Sequence, residues 1–311
     1  MNNFSQDPIV LITGASTGLG LRIAQLLIKK NYRLVLTARS ESLHRFAAAG
    51  IFETDRINLR PLDIMNSDQR KTLIDSLAAE KKEVSILVNN AGFAFRSVLE
   101  HVEQPELLQQ MITNFWGPME LTRLILPSMR KNRFGKIINV SSVGGMMAMP
   151  TMSVYSASKF ALEGASESLY YEVKPWNVNV TLIEPGFINS GSFQNVKYTT
   201  LSGASMRTPD EAYYGHYRFM GAFIEKVMRR APSNADHVAN KIARVIAQKN
   251  PPLRVPATYD AYFFDYLRRF LPRSFYHWML YRGLPYPDCW GDADRLAMRC
   301  ETEREKFQIS T

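Results

Sequence analysis

Tyr155 and Lys159 stand four residues apart in Tyr155-Ser156-Ala157-Ser158-Lys159. On a helix that spacing puts both side chains on one face, one turn apart. A free phenol titrates near pH ~10 and is a poor base at neutrality. An ammonium group beside it favours the phenolate, which suits Tyr155 to general acid/base work with Lys159 as its activator. Ser141 and Ser142 end an apolar run upstream, and a hydroxyl at Ser142 can hydrogen-bond the same substrate oxygen. A Tyr-x-x-x-Lys pair alone is common on helices, so its chemistry has to be read from its company.

That company includes a cofactor turn. Val10-Leu11-Ile12-Thr13-Gly14-Ala15-Ser16-Thr17-Gly18-Leu19-Gly20 passes from a strand pattern into a helix pattern. Gly14 permits the tight turn, Gly18 lets the backbone approach a pyrophosphate, and Gly20 lets the helix lie close on the sheet. Ser16, Thr17 and Leu19 complete the loop. The phosphates then meet free N–H groups and the positive end of the helix dipole. The second strand ends Leu36-Thr37-Ala38-Arg39-Ser40. An NAD site usually has Asp or Glu here for the ribose 2′-hydroxyl. Ala38 carries no carboxylate, and the Arg39 guanidinium suits a 2′-phosphate. NADP is therefore expected over NAD.

These residues need a scaffold that brings distant strand ends together. Apolar runs predict strands at 8–13, 32–38, 55–60, 84–89, 134–141, 178–184 and 252–256. Amphipathic patterns predict helices at 18–30, 40–49, 66–82, 105–132, 153–174 and 233–249. Strands such as Ile86-Leu87-Val88 are nearly continuous apolar runs, which favours a parallel sheet buried on both faces. The alternation predicts a doubly wound α/β (Rossmann) fold, with seven mostly parallel strands and helices on both faces. Residues 1–256 would be the dinucleotide-binding and catalytic domain, with a lid at about 187–232. Residues 257–311 would be an aromatic-rich helical extension. Ser233-x-x-Asp236 predicts a capping box opening the 233–249 helix.

At this point the sequence resembles the short-chain dehydrogenase/reductase family. The matching residues are Thr13-Gly14-x-x-x-Gly18-x-Gly20, Asp63, Asn89-Asn90-Ala91-Gly92, Asn114, Ser142, Tyr155-x-x-x-Lys159 and Pro185-Gly186. The resemblance implies that Tyr155 moves the hydroxyl proton and Ser142 polarises the carbonyl. Lys159 would lower the Tyr155 pKa and bind the nicotinamide ribose. Asn114 would hold a water that completes the proton relay. Asp63, with Ile64 beside it, would bind adenine, and Asn90, Ala91 and Gly92 would flank the cofactor ribose. Pro185 and Gly186 would face the nicotinamide, Ile188 its carboxamide, and Ser190 stands where the family usually has Thr. The alternative on the same fold is a non-catalytic NADP-binding regulator. Such proteins usually lose Tyr or Lys, whereas Asn114, Ser142, Tyr155 and Lys159 are all present. The length and aromatic tail look similar to the 17β-hydroxysteroid and retinol dehydrogenase branch. The family's habit of pairing helices like 105–132 and 153–174 across a two-fold axis implies a homodimer or homotetramer.

Phe93, Phe95, Val143, Gly144, Met146, Met147, Met149, Phe187 and the lid are the expected walls of the substrate pocket. Methionines make such a surface soft and apolar. A bulky apolar alcohol, ketone or aldehyde is expected: steroid, retinoid, long-chain or terpenoid. The 46% apolar content excludes global disorder. Five His and two Cys exclude a Cys/His metal module, and the chemistry requires no metal. The net charge of +9 comes with no RNA-binding or helix-turn-helix signature, so no nucleic-acid partner is expected. No apolar run approaches a membrane span, and the strand at Ile9 begins too early for a signal peptide. A reduced, cytoplasmic chain is the expectation. Ten of the 35 aromatics lie between 257 and 284, predicting a helix from Tyr259 to Phe270, a stop at Pro272 and a shorter helix to Arg282. That segment reads as a cap over the lid or, more sharply, as a peripheral membrane contact.

Overall fold

A computed structural model of the chain describes residues 8–30, 32–189 and 196–292, with 294–295 and 298–299. Strand β1 (Ile9–Ile12) divides its residues between two cores: Val10 and Ile12 enter one, Ile9 and Leu11 the other. The chain continues through α1 (Gly18–Lys29), β2 (Arg33–Ala38), α2 (His44–Ala48), β3 (Ile57–Pro61), α3 (Ser67–Ala79) and β4 (Val84–Asn89). A two-residue strand, β5 (Ala94–Phe95), precedes α4 (Gln104–Met111), α5 (Gly117–Lys131), β6 (Gly135–Val140), α6 (Ser153–Val173) and β7 (Val178–Glu184). Then come β8 (Val196–Lys197), α7 (Thr200–Ser205), α8 (Tyr214–Arg230), α9 (Ala235–Ala247), β9 (Arg254–Pro256), α10 (Tyr259–Phe270) and α11 (Arg273–Arg282).

The main sheet has seven strands in the order β3-β2-β1-β4-β6-β7-β9, all pairs parallel. One core lies under α1 and α9, the other under α3, α5 and the end of α6. Strand order reverses between β1 and β4, and a crevice outside the carboxyl ends at that point is where such sheets bind ligands.

The structure departs from the sequence expectations in four places. The 105–132 pattern is two helices, α4 and α5, separated by a π-helical turn at Ile112–Trp116. The 40–49 pattern gives only a 3₁₀ turn and the five-residue α2. The Ser233/Asp236 capping box does not form. Asn234 is the N-cap and accepts the His237 N–H at 2.9 Å, while Ser233 is buried one residue outside the helix. The lid holds α7, the long α8 and strand β8, which pairs with β5. Gly, His and Tyr residues mask the buried stripe of α8, which is Tyr217, Phe219, Met220 and Ile224. In the tail, α10 and α11 form at the predicted boundaries, with Leu271 and Pro272 between them.

Candidate active site

Thr13, at the end of β1, accepts the Asn90 and Ala91 N–H groups, each at 3.0 Å, through its hydroxyl. The Asn90 amide returns hydrogen bonds to the Thr13 and Gly14 carbonyls. These contacts close the switch point between β1 and β4 and set the glycine turn beside Asn90–Gly92. A Cβ on Gly14 would sit 3.0 Å from the Ala91 Cα, and its φ of +64° lies in the left-handed region. A second ladder runs from Asn89 to Asn139 (2.8 Å) and on to Ser166 (2.8 Å), tying β4, β6 and α6 together.

A cavity of about 590 Å³ opens at these strand ends. Of the residues expected to hold a cofactor, Gly14, Ser16, Thr17, Gly18, Leu19, Arg39, Asp63, Ile64, Asn90, Ala91, Gly92 and Gly186 line it. Three other predicted residues do not line it. Gly20 is where a Cβ would meet the Gly14 carbonyl and the Asn90 amide, so it serves helix packing. The Pro185 carbonyl accepts the Val143 N–H at 2.8 Å and pins the loop after Ser142. Ile188 turns into the core under α1 and α9 instead of facing the cavity, because apolar partners are available there. Ser190 lies outside the described residues. Thr17 caps α1 without a side-chain hydrogen bond, so the first N–H groups of α1 are left to the cavity. With Arg39 and Arg45 on the same rim, this cradle fits a phosphorylated dinucleotide.

Tyr155, Lys159 and Ser142 line the far end of the same cavity. The loop following Ser142 presses on the tyrosine ring: a Cβ on Gly144 would lie 2.9 Å from Tyr155 Cε1. Lys159 is buried, donates to the Val140 carbonyl at 2.8 Å, and lies 6.0 Å from the Tyr155 ring centre. Burial pushes the Tyr155 phenol up, and its hydrogen bond with Ser142 pulls it down. The lowering by Lys159 expected from the spacing is not the dominant effect. Burial lowers Lys159 itself to about 8, opposed by Glu163. Asn114 sits in the π turn, buried, outside the cavity wall. Its amide donates to the Phe93 carbonyl (3.0 Å) and Ser158 (3.1 Å), and its oxygen accepts the Phe93 N–H (3.2 Å). The Asn114 side chain is therefore committed to Phe93 and Ser158.

Of the substrate-wall residues, Phe93, Val143, Gly144, Met149 and Phe187 line the cavity. Met146 and Met147 instead pack with Val143 and Ala261 under the tail, and Phe95 is buried away from the cavity wall. Besides Phe187, the lid contributes Val196, Lys197, Ile224 and Met228, while Tyr213, Tyr214 and Tyr217 do not line the cavity. Tyr217 is buried against His101, with its hydroxyl 3.0 Å from the His101 Nδ1.

Sequence reasoning missed several members. Arg45, on the rim near Arg39, was legible as a second cation six residues on. Arg96 and Lys197 flank the β5–β8 pair and reach the cavity wall; Arg96 is buried with the Tyr198 hydroxyl as a partner. Glu163 lies one turn beyond Lys159 on α6, accepts the Ser141 hydroxyl at 2.7 Å, and pairs with Arg254 at 2.6 Å. Arg254 also binds Glu184 (2.7 Å) and Glu167 (2.9 Å). No local spacing links Arg254 to α6, so only its i,i+4 distance from Lys159 marked Glu163.

A family model described as short chain dehydrogenase matches residues 8–200. The chain is 35% identical over 249 residues to a 3-ketodihydrosphingosine reductase of Bacteroides thetaiotaomicron, covering 80% of this chain and 87% of the relative. It is 33% identical over 254 residues to retinol dehydrogenase 8 of Homo sapiens, 79% of each chain. A crystal structure of a short-chain dehydrogenase from Streptomyces avermitilis superposes with a TM-score of 0.70 at 28% identity, covering 85% of this chain and 94% of that one.

Proposed function

This chain belongs to the short-chain dehydrogenase/reductase family, oxidoreductases that act on CH–OH and carbonyl groups with NAD(P), and from that premise we propose NADP as its cofactor and a bulky apolar alcohol, ketone or aldehyde as its substrate. The observation that carries this reading is the single cavity shared by Arg39, Arg45 and the uncapped start of α1 at one end and Ser142, Tyr155 and Lys159 at the other. The first group suits a 2′-phosphate and pyrophosphate. The second suits a reacting oxygen. Between them Phe93, Val143, Met149 and Phe187 favour an apolar substrate body. The named substrates of the two relatives, a long-chain keto base and a retinoid, are of that class.

When bound, the nicotinamide supplies the hydride. Tyr155, held protonated by burial, donates its proton to the substrate oxygen, and in oxidation takes it back. Ser142 donates a hydrogen bond to the same oxygen. Both contacts strengthen as negative charge builds there, which lowers the barrier without tightening the ground state. Lys159 holds positive charge under the phenol and steadies its conjugate base. Asn114 fixes the Phe93 turn against Ser158 on α6, and so keeps the two ends of the cavity in register. Exposed Leu107, Leu108, Trp116 and Phe160 on or beside α4, α5 and α6 support a homodimer or homotetramer formed through these helices, readable by analytical ultracentrifugation.

The test is NADPH oxidation over a panel of apolar ketones and aldehydes. Tyr155→Phe should lower kcat by about 100-fold or more while NADPH titration and thermal stability hold. Near-parental turnover would refute the assignment, and absence of turnover by the parent on every carbonyl would favour the regulator.

A further inference from the structure

We propose that the outer face of α10 and α11 is a docking surface for the interfacial layer of a bilayer carrying anionic lipid. The inference deepens the reading above, because it rests on an apolar substrate for the same cavity. Tyr259, Tyr262, Tyr266 and Phe270 recur every three or four residues, and Phe263 beside Tyr262 widens them into one stripe along α10. All five are exposed, Phe270 to 66%. Phe275, Trp278 and Tyr281 continue the pattern on α11 and are equally open. Single exposed aromatics are ordinary, but eight on two consecutive helices make the kind of patch that marks an interaction site.

The inner side of these helices is already used. Ala261, Phe264 and Leu280 pack with Val143, Met146 and Met147 on the loop that follows Ser142. The tail therefore caps the catalytic loop with its inner face and leaves the aromatic face to something else.

Charge identifies that partner. Arg273 and Arg282 are exposed among the aromatics, with Arg282 over the Trp278 ring at 5.9 Å, whereas Arg268 donates to the Met146 carbonyl and Arg269 is paired with Asp265. The two acids of the segment are both engaged: Asp260 accepts the Phe187 N–H at 2.7 Å, and Asp265 pairs with the exposed Arg269 at 3.0 Å, which leaves the face a net positive charge. Amphipathic rings with arginines among them match headgroup depth, where rings sit at the boundary and guanidinium groups meet phosphate. Among the described residues no helix is long and apolar enough to cross a membrane, so the contact is one of lying on the surface.

A second cavity of about 320 Å³ lies beside the C-terminal half of α8, walled by Phe223, Lys226, Val227, Arg230 and Pro232 with Phe187, and it meets α10 at Asp260. Phe187 also lines the active-site cavity. Phe187 thus stands between the two cavities.

The full chain is sedimented with phosphatidylcholine vesicles with and without phosphatidylglycerol, beside a variant carrying Tyr266→Ser, Phe270→Ser, Phe275→Ser and Trp278→Ser. All four positions are exposed, and thermal stability and NADPH turnover of a water-soluble ketone check that fold and site survive. The parent should pellet with the mixed vesicles, less with phosphatidylcholine alone and less at high salt, and the variant should partition about tenfold less or worse. The proposal is overturned if the parent stays in the supernatant, if the variant pellets equally, or if the parent pellets only after residues 301–311 are removed. It is also overturned if the substitutions dissolve a dimer that itself shows no vesicle binding. Vesicle binding is read without turnover, so its failure and the failure of the oxidoreductase reading are separate results.

Discussion

Lys159 is held in conflict by its surroundings: burial lowers its proton affinity to about 8, and Glu163 alone pulls the other way. Tyr155 is pushed up by burial, so its phenol stays protonated beyond the range where Lys159 titrates. The first group lost on raising pH is therefore the lysine. In the free enzyme, kcat/KM for reduction should fall as pH rises through about 8, and Lys159→Arg should carry the plateau to higher pH. A profile flat to pH ~10 would show that Lys159 charge is not needed. At the other end of the cavity, exposed Arg39 is paired with Glu41 at 3.2 Å and stands on the rim with Arg45. Ala38→Asp with Arg39→Leu should weaken NADP by about one to two decades and favour NAD, measured by fluorescence titration. Equal parental affinity for the two dinucleotides would remove the role of Arg39, and loss on Arg45→Ala alone would transfer it.

Elements that are far apart in the chain meet at Arg254, the first residue of β9. Its guanidinium binds Glu163 and Glu167 on α6 and Glu184 at the end of β7, while Glu163 holds Ser141 at the end of β6. The helix carrying Tyr155, the loop carrying Ser142 and the Pro185-Gly186 turn are thus braced by one side chain. A cation removed from buried carboxylates leaves their charge uncompensated. Arg254→Met should cost about 3–5 kcal/mol in urea unfolding, and adding Glu163→Gln should recover part of it. A loss below about 1 kcal/mol, in the range of exposed pairs, would mean that the brace is dispensable.

On the scale of the whole molecule the same cluster makes stability depend on pH. Burial, with Glu163 adding to it, raises Glu184 to about 7. Its folded pKa lies above the ordinary carboxylate value, so the folded chain binds more protons than the unfolded chain between the two. The stability from that proton is fully present below the unfolded pKa and is lost as pH rises through about 7. Glu184→Gln mimics the protonated form at every pH. Its Tm relative to the parent should therefore climb from pH 5 to pH 8, and a constant difference would place the titration elsewhere. Thr258, buried beside this cluster, also accepts the Gly186 N–H at 2.8 Å, so unfolding of the tail should reach the cavity wall at Gly186.

Short-range pattern determined the sheet, the glycine turn, the Tyr155–Lys159 face of α6 and the two tail helices. Each rests on periodicity or on the geometry of a few adjacent residues, and such preferences act before the chain folds. It also exposed the tail aromatics as a feature to explain. Tertiary structure alone decided the π turn at Asn114, since its side chain is committed to Phe93 and Ser158 from other parts of the chain. It moved the α9 cap from Ser233 to Asn234, and it found α8, whose stripe becomes apolar only against the partners it buries. It also put Arg254 among three carboxylates, a contact across some 70 to 90 positions that no window of sequence contains. Local spacing carries the residues that do chemistry together on one element. The groups that hold those elements in register are chosen by burial, and burial exists only once the strands have met.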